Sequence, residues 1–169
     1  NEIFQNLNEA EKRQLCLDFY NLKTSGDELI PDQSMDSITI NDLGFRGAEF
    51  SEIKPPNTHR TFMIGGSTMF GAGATSDNTT IPGYVQQFLD ENNAEFNLEV
   101  INAGIQGADS NTELKLTEQK LIRFSPDLLI IYDGWNDLRA SNTPAKLKEN
   151  WELMCELGKE NNFDVIITL

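Results

Sequence analysis

RTFMIGGSTMFGAG (Arg60–Gly73) carries an apolar run straight into a loop with one serine and four glycines. RTFMI has the composition of a buried strand. Glycines at this density remove side chains where something must come close to the backbone. Three occupants fit such a loop: a phosphate, a dinucleotide, or a carbonyl carbon that Ser67 attacks. A phosphate loop of the Walker type needs a lysine after its last glycine, and none is near. A dinucleotide loop wants an acidic residue at the end of the second strand, where this chain has Asn102-Ala103-Gly104. A nucleophile needs an exposed hydroxyl, oxyanion donors and a base. Ser67, on a tight turn after a strand, supplies the first.

The rest of the chain sets the fold around this loop. LEVINAG (Leu98–Gly104), PDLLIIYDG (Pro126–Gly134) and FDVIITL (Phe163–Leu169) are further strand candidates. Between them, TIPGYVQQFLDENN (Thr80–Asn93), DSNTELKLTEQKLIRF (Asp109–Phe124) and AKLKENWELMCELGKEN (Ala145–Asn161) have helical spacing. Strands alternating with such helices imply a parallel sheet covered on both faces. Ligands bind beyond the carboxyl ends of such strands. Ser67, Gly107 and Asn136 each fall there, one after each of the first three strands. Upstream, residues 1–24 predict a helix with Ile3, Phe4, Leu7 and Ala10 at helical spacing. SITINDLGFRGAEF (Ser37–Phe50) follows as a short alternating segment, and KPPNTH (Lys54–His59) as a linker.

With 169 residues, 38% hydrophobic and 24% charged, the composition is that of an ordinary globular domain. The net charge of −14 disfavours nucleic acid and anionic membrane surfaces as partners. Cys16 and Cys155 sit in helix-like stretches and read as two buried thiols rather than a disulfide. No Cys/His spacing points to a metal.

Three blocks in order resemble those of the SGNH (GDSL-type) hydrolases, a family of esterases, lipases, thioesterases and carbohydrate deacetylases. They are Gly65-Gly66-Ser67-Thr68 with Gly71 following, Asn102-Ala-Gly-Ile-Gln-Gly107, and Gly134-Trp135-Asn136-Asp137. The resemblance implies a three-layer α/β/α flavodoxin-like fold with a parallel sheet. Residues 1–58 would form an N-terminal helix and lead-in extension, and residues 59–169 the N-terminal part of the hydrolase-like domain. It also implies a serine hydrolase acting through an acyl-enzyme at Ser67, on a small ester or an O-acylated carbohydrate or lipid. The Ser67 and Gly107 N–H groups and the Asn136 side chain would form the oxyanion hole, with no metal or organic cofactor. The lead-in NDLGFRGAEF (Asn41–Phe50) is similar to that of extracytoplasmic members, which implies such a location and a membrane anchor outside this segment.

Two departures stand out. The aspartate usual before the family's serine is Gly66 here. The family's base is a histidine in a downstream D-x-x-H block, whereas the one histidine here is His59, expected at the amino end of the sheet. That predicts a fragment, with its sheet incomplete at the C-terminus and inactive alone. The alternative is a non-catalytic binding or assembly module on the same fold. Other readings stay open at single residues. Gly107 serves equally as a turn glycine, and Asn136 as a helix cap. Trp135 either lines the pocket or packs, and Asp137 caps or orients its loop. Asp133 and Asp109 form a weaker carboxylate pair for glycosidase chemistry. Phe45 and Arg46 either border the pocket or, as the simpler reading, pack.

Overall fold

The computed structural model describes residues 6–92 and 97–168. Strand β5 (Thr58–Gly65) is its centre, and it is buried at every position except His59. It pairs in parallel with β6 (Asn97–Asn102) on one side and β7 (Leu128–Tyr132) on the other. β8 (Asp164–Thr168) pairs in parallel with β7, which gives the order β6-β5-β7-β8. Parallel neighbours need long crossovers. Helices α3 (Ile81–Asn92), α4 (Ser110–Leu116) and α6 (Pro144–Asn161) supply them. The alternation in the sequence thus becomes a four-stranded parallel sheet flanked by helices, and all four strand candidates form.

Each of these three helices starts where a side chain accepts one of its free N–H groups. Thr80 receives the Gly83 N–H on its hydroxyl at the start of α3 (3.1 Å). Asp109 accepts from the Thr112 N–H at α4 (3.0 Å), and Thr143 from the Lys146 N–H at α6 (3.1 Å). The stretch predicted as one helix over Asp109–Phe124 is regular only to Leu116. It continues as a π-helical turn (Thr117–Leu121) and a 3-10 turn (Ile122–Phe124). At the change, Thr117 returns its hydroxyl to the Glu113 carbonyl (2.9 Å), a back-bond that loosens helices.

The upstream segment packs against Phe70 and the carboxyl end of β6. Helix α1 (Glu9–Asn21) is followed by the hairpins β1 (Thr24–Ser25) with β2 (Glu28–Leu29) and β3 (Gln33–Ser34) with β4 (Thr39–Ile40). Within the described part of the helix predicted over 1–24, Asn8 and Glu11 form a capping box at the start of α1, and the helix ends at Asn21 because Leu22 leaves the helical conformation. Ile3, Phe4, Asn93 and Leu169 lie outside the described residues. Asp18 accepts from the Ser37 N–H (2.8 Å) and hydroxyl (2.7 Å), which ties α1 to the hairpins. Burial raises the proton affinity of Asp18, but these bonds, with Gln14 and Arg46, outweigh it and hold the group below the usual carboxylate range.

The core joins this segment to the sheet. Phe45 and Phe50 meet Phe62 of β5 and Phe124, with ring centroids 5.5–6.2 Å apart. The open edge of β6 is blunted by Gln86 of α3. Its Nε2 donates to Leu98 O (2.9 Å) and its Oε1 accepts from Val100 N (2.7 Å), standing in for a fifth strand. Cys16 is exposed and Cys155 half-buried, both free, which corrects the expectation of buried thiols. Their neighbours Leu15 and Met154 take the inward positions, so each cysteine is rotated one residue away from the core. Among the described residues, no helix is long and apolar enough to cross a membrane.

Arg60 is fully buried and serves several elements at once. It reaches Glu99 (2.7 Å), Phe124 O (2.9 Å), Ser51 O (2.8 Å) and Glu52 O (3.3 Å). Arg60→Met leaves those carbonyls without a donor and Glu99 without its cation. A loss of about 3 kcal/mol is expected, read from urea unfolding, with Arg60→Lys losing less.

Candidate active site

Ser67 opens a four-residue helix, α2 (Ser67–Phe70), directly beyond the carboxyl end of β5. Its hydroxyl is half-buried and has no partner among the described residues. The far end of α2 is held from behind. Arg46 Nη1 donates to Phe70 O (3.1 Å) and Gly71 O (2.9 Å), and Asn102 Nδ2 donates to Phe70 O (3.1 Å). Arg46 is itself anchored by Asp77 (2.7 Å) and Ser37 O (2.8 Å). Phe45 belongs to the core and Arg46 sits behind α2, so both pack and neither lines the cleft at Ser67.

The loop after β7 closes the other side. Asn136 lies in the short helix α5 (Trp135–Arg139), whose cap is Gly134, so Asn136 is not a capping residue. Its Nδ2 donates to Ala108 O (2.7 Å) on the loop after β6 and touches Asp133 Oδ2 (3.4 Å). The same amide presses on Gly66. A methyl group there would collide with Asn136 Nδ2 and lie 3.3 Å from Asp133 Oδ2. Gly66 therefore makes room for the amide beside Ser67, and an aspartate at this position has no space.

Ser67, Trp135 and Asn136 line one cleft of about 310 Å³, with Gly66, Tyr132 and Asp133. That volume lies at the lower end of small-ligand pockets, typically about 300–1,000 Å³. Trp135 (73% exposed) and Leu138 (66%) give it an open apolar wall. Gly107 is not among the lining residues. Its loop nonetheless joins the other two, because Ile105 N donates to Gly65 O (2.9 Å) and Ala108 O receives Asn136. Gly107 has φ +75°, the left-handed conformation that glycine adopts without strain, and its Cβ position is open. Neither the Ser67 nor the Gly107 N–H has an intramolecular acceptor among the described residues.

The carboxylates around the cleft have structural duties. Asp137, buried, accepts from the Ser110 N–H (3.0 Å) and hydroxyl (2.6 Å) and from Asn142 (2.9 Å), fastening α5 to α4. Asp133 accepts from the Gly134 N–H (2.7 Å). Burial raises the proton affinity of Asp109, but the Thr112 N–H and hydroxyl, Asn111 and Asn142 outweigh it and keep the group below its ordinary value. His59 is exposed in β5 rather than in a linker, because Thr58 and His59 pair with Asn97 and Leu98. It lies at the opposite end of β5 from Ser67, roughly 20 Å away at strand rise. What the sequence reading missed is the support: Gly66 as a socket, Ala108 O as the anchor of Asn136, and a buried Glu113 beneath the loop. A leucine-rich helix gives no sign that one of its glutamates faces inward.

A model of the GDSL-like lipase/acylhydrolase family matches residues 63–168. No curated protein matches the chain. Among solved structures, that of TesA aligns with a TM-score of 0.59 and 23% identity, over 64% of this chain and 59% of that one. AlinE4, an SGNH-hydrolase family esterase, gives 0.55 and 21%, over 68% and 60%. A catalytic mutant of Axe2, an acetylxylan esterase from Geobacillus stearothermophilus, gives 0.54 and 20%, over 64% and 58%. At these identities the likeness is one of fold, and the chain spans about three fifths of the length of each.

The contact between Gly66 and Asn136 predicts a coupled pair. Gly66→Ala should lower the melting temperature by pushing the amide off Ala108 O. In Asn136→Gly the added methyl has room, so adding Gly66→Ala there should cost little. The double-mutant cycle should show a coupling of about 1 kcal/mol or more, and additive melting shifts would refute the contact.

Proposed function

The chain belongs to the GDSL-like lipase/acylhydrolase family, and from that premise we propose that it hydrolyses an ester through an acyl-enzyme on Ser67. The observation that carries this reading is the shared cleft: an unpartnered serine hydroxyl and a fixed side-chain amide face one space at the carboxyl ends of β5 and β7. Ser67 Oγ attacks the carbonyl carbon as its proton passes to a base. The carbonyl oxygen becomes an oxyanion, for which the Ser67 N–H, the Gly107 N–H and Asn136 Nδ2 are the candidate donors. Donors held in position before the reaction would act without reorganising. The tetrahedral intermediate collapses, the alcohol leaves with a proton, and water repeats the sequence to free the acid.

The apolar wall of Trp135 and Leu138 suits an acyl chain or the face of a sugar ring, so the substrate class is a small ester or an O-acylated carbohydrate or lipid. His59 is too far from Ser67 to be the base, so the proposal assigns that role to a histidine outside these 169 residues. The same distance favours the second reading, a non-catalytic binding or assembly module on this fold.

Short activated esters test the proposal with the full-length protein. Ser67→Ala should abolish turnover, and Asn136→Ala should reduce kcat by about 10²–10³ with a smaller effect on KM. A serine-directed phosphonate should label Ser67 rapidly there and slowly in the isolated 169-residue chain. Turnover that survives Ser67→Ala overturns the nucleophile. A full-length protein with neither turnover nor labelling supports the binding module.

A further inference from the structure

Glu113 sits on α4 between Ser110 and Thr117, on the face that meets α6, and only 1% of its surface is exposed. Neither carboxyl oxygen has a hydrogen-bond donor among the described residues. The residues of α6 that meet this face are neutral: Asn150, which donates to Ser110 Oγ (2.8 Å) and Asn111 Oδ1 (3.0 Å), and Met154 against Thr117. The charged groups that act on Glu113 among the described residues are acidic: Asp133 from the loop after β7, Asp137 from α5, and Asp109 from the cap of α4. An ionised carboxylate without a donor or cation in such a place is strongly disfavoured, and a group so placed takes up a proton instead. A neutral carboxyl then has one O–H to give.

The acceptors around it differ in what they have left. Asp137 already receives Ser110 and Asn142. Asp109 already receives Thr112, Asn111 and Asn142. Asp133 receives the Gly134 N–H on Oδ1, while Oδ2 has only the long contact from Asn136 Nδ2 at 3.4 Å. Asp133 is also within hydrogen-bonding reach of Glu113. We propose that Glu113 is a neutral acid that donates its carboxyl proton to Asp133, and that this carboxyl pair positions the Asp133–Asn136 turn beneath the cleft. The bond is charge-assisted, the strong class of hydrogen bond. Burial first, then the charge and hydrogen bond of Asp133, then Asp137 and Asp109, push the Glu113 carboxyl well above its ordinary range.

Glu113 is thus a positioning residue, and that part of the inference rests on the functional reading above. Its protonation does not, and it has its own signature. A folded-state carboxyl that stays neutral while the unfolded chain ionises contributes stability that is complete below about pH 4.3. That stability is lost as pH rises toward the folded value. Glu113→Gln keeps a donor toward Asp133 and does not titrate. Its melting temperature should match wild type near pH 4 and exceed it at pH 7 by about 2–4 °C or more. Infrared spectra at neutral pH should show a protonated-carboxyl band in wild type that Glu113→Gln removes. Parallel melting profiles, or no such band, overturn the protonation.

For the positioning role, Glu113→Leu fills the space but has no donor. In the full-length protein it should lower kcat for ester hydrolysis about tenfold or more with KM little changed, while Glu113→Gln keeps kcat. A Glu113→Leu variant with wild-type kcat overturns the positioning role. Should Glu113→Leu fail to fold, Glu113→Gln decides alone, because a large loss of kcat there contradicts the proposal. If Ser67→Ala leaves hydrolysis unchanged, the functional reading fails, and the infrared and melting results still decide the state of Glu113.

Discussion

The hydrogen bond from Asn136 Nδ2 to Ala108 O, 2.7 Å long, is the contact on which the arrangement at the sheet edge depends. A parallel sheet brings three strand ends to one side, but it does not fix the loops that leave them. Asn136 comes from the loop after β7, Ala108 from the loop after β6, and the amide rests on Gly66 at the end of β5. One side chain therefore sets the spacing of three loops. A neutral amide suits this position because it donates without titrating, so the spacing does not vary with pH. Asp137 repeats the tie one residue later by holding Ser110 at the start of α4.

Ser67 is steadied from the opposite direction by the segment before the sheet. The four-residue helix it opens is too short to be stable on its own, because helix nucleation is costly and few bonds repay it. Its last carbonyls receive Arg46 and Asn102 instead of water. Arg46 is a buried cation, and burial disfavours its charge while Asp77 and, at longer range, Asp18 oppose that effect. The planar guanidinium fork answers four acceptors spread around it, more than the three N–H groups of a lysine could serve. Residues far apart in the chain, Ser37, Arg46, Phe70 and Asp77, thereby become one rigid support behind the serine.

The sheet was legible because its strands are continuously apolar and its helices are spaced between them, a pattern set by local periodicity. The positions of Ser67 and Asn136 just beyond strand ends were legible because each follows an apolar run that ends in glycine. The failures share a cause, which is dependence on distant partners. His59 joins β5 only because Asn97 and Leu98 pair with that part of the strand, and local composition around Pro55 and Pro56 hides it. The helix at the amino end stops at Asn21 rather than at residue 24, because the hairpin that follows takes Thr24. Cys16 and Cys155 were placed inside because their neighbours are apolar, although one residue along a helix is a turn of 100°. Glu113 was invisible because glutamates on helices normally face water, and only the packing of α4 on α6 encloses it.

The acidity of the chain gives Gly66 a second meaning. Four carboxyl groups, Asp109, Glu113, Asp133 and Asp137, lie together beneath the cleft. Asp109 and Asp137 spend their acceptor capacity on backbone N–H groups, hydroxyls and amides, and Asp133 accepts from the Gly134 N–H on one oxygen. A further carboxylate at position 66 would lie close to Asp133 and displace the amide of Asn136. It would also add negative charge beside Ser67. Glycine at 66 and asparagine at 136 add no charge beside Ser67 beyond that of Asp133, while the other acids organise the loops. Charge and packing thus favour the same residue at position 66, since a side chain there would disturb both the field around Ser67 and the amide that aligns its neighbours.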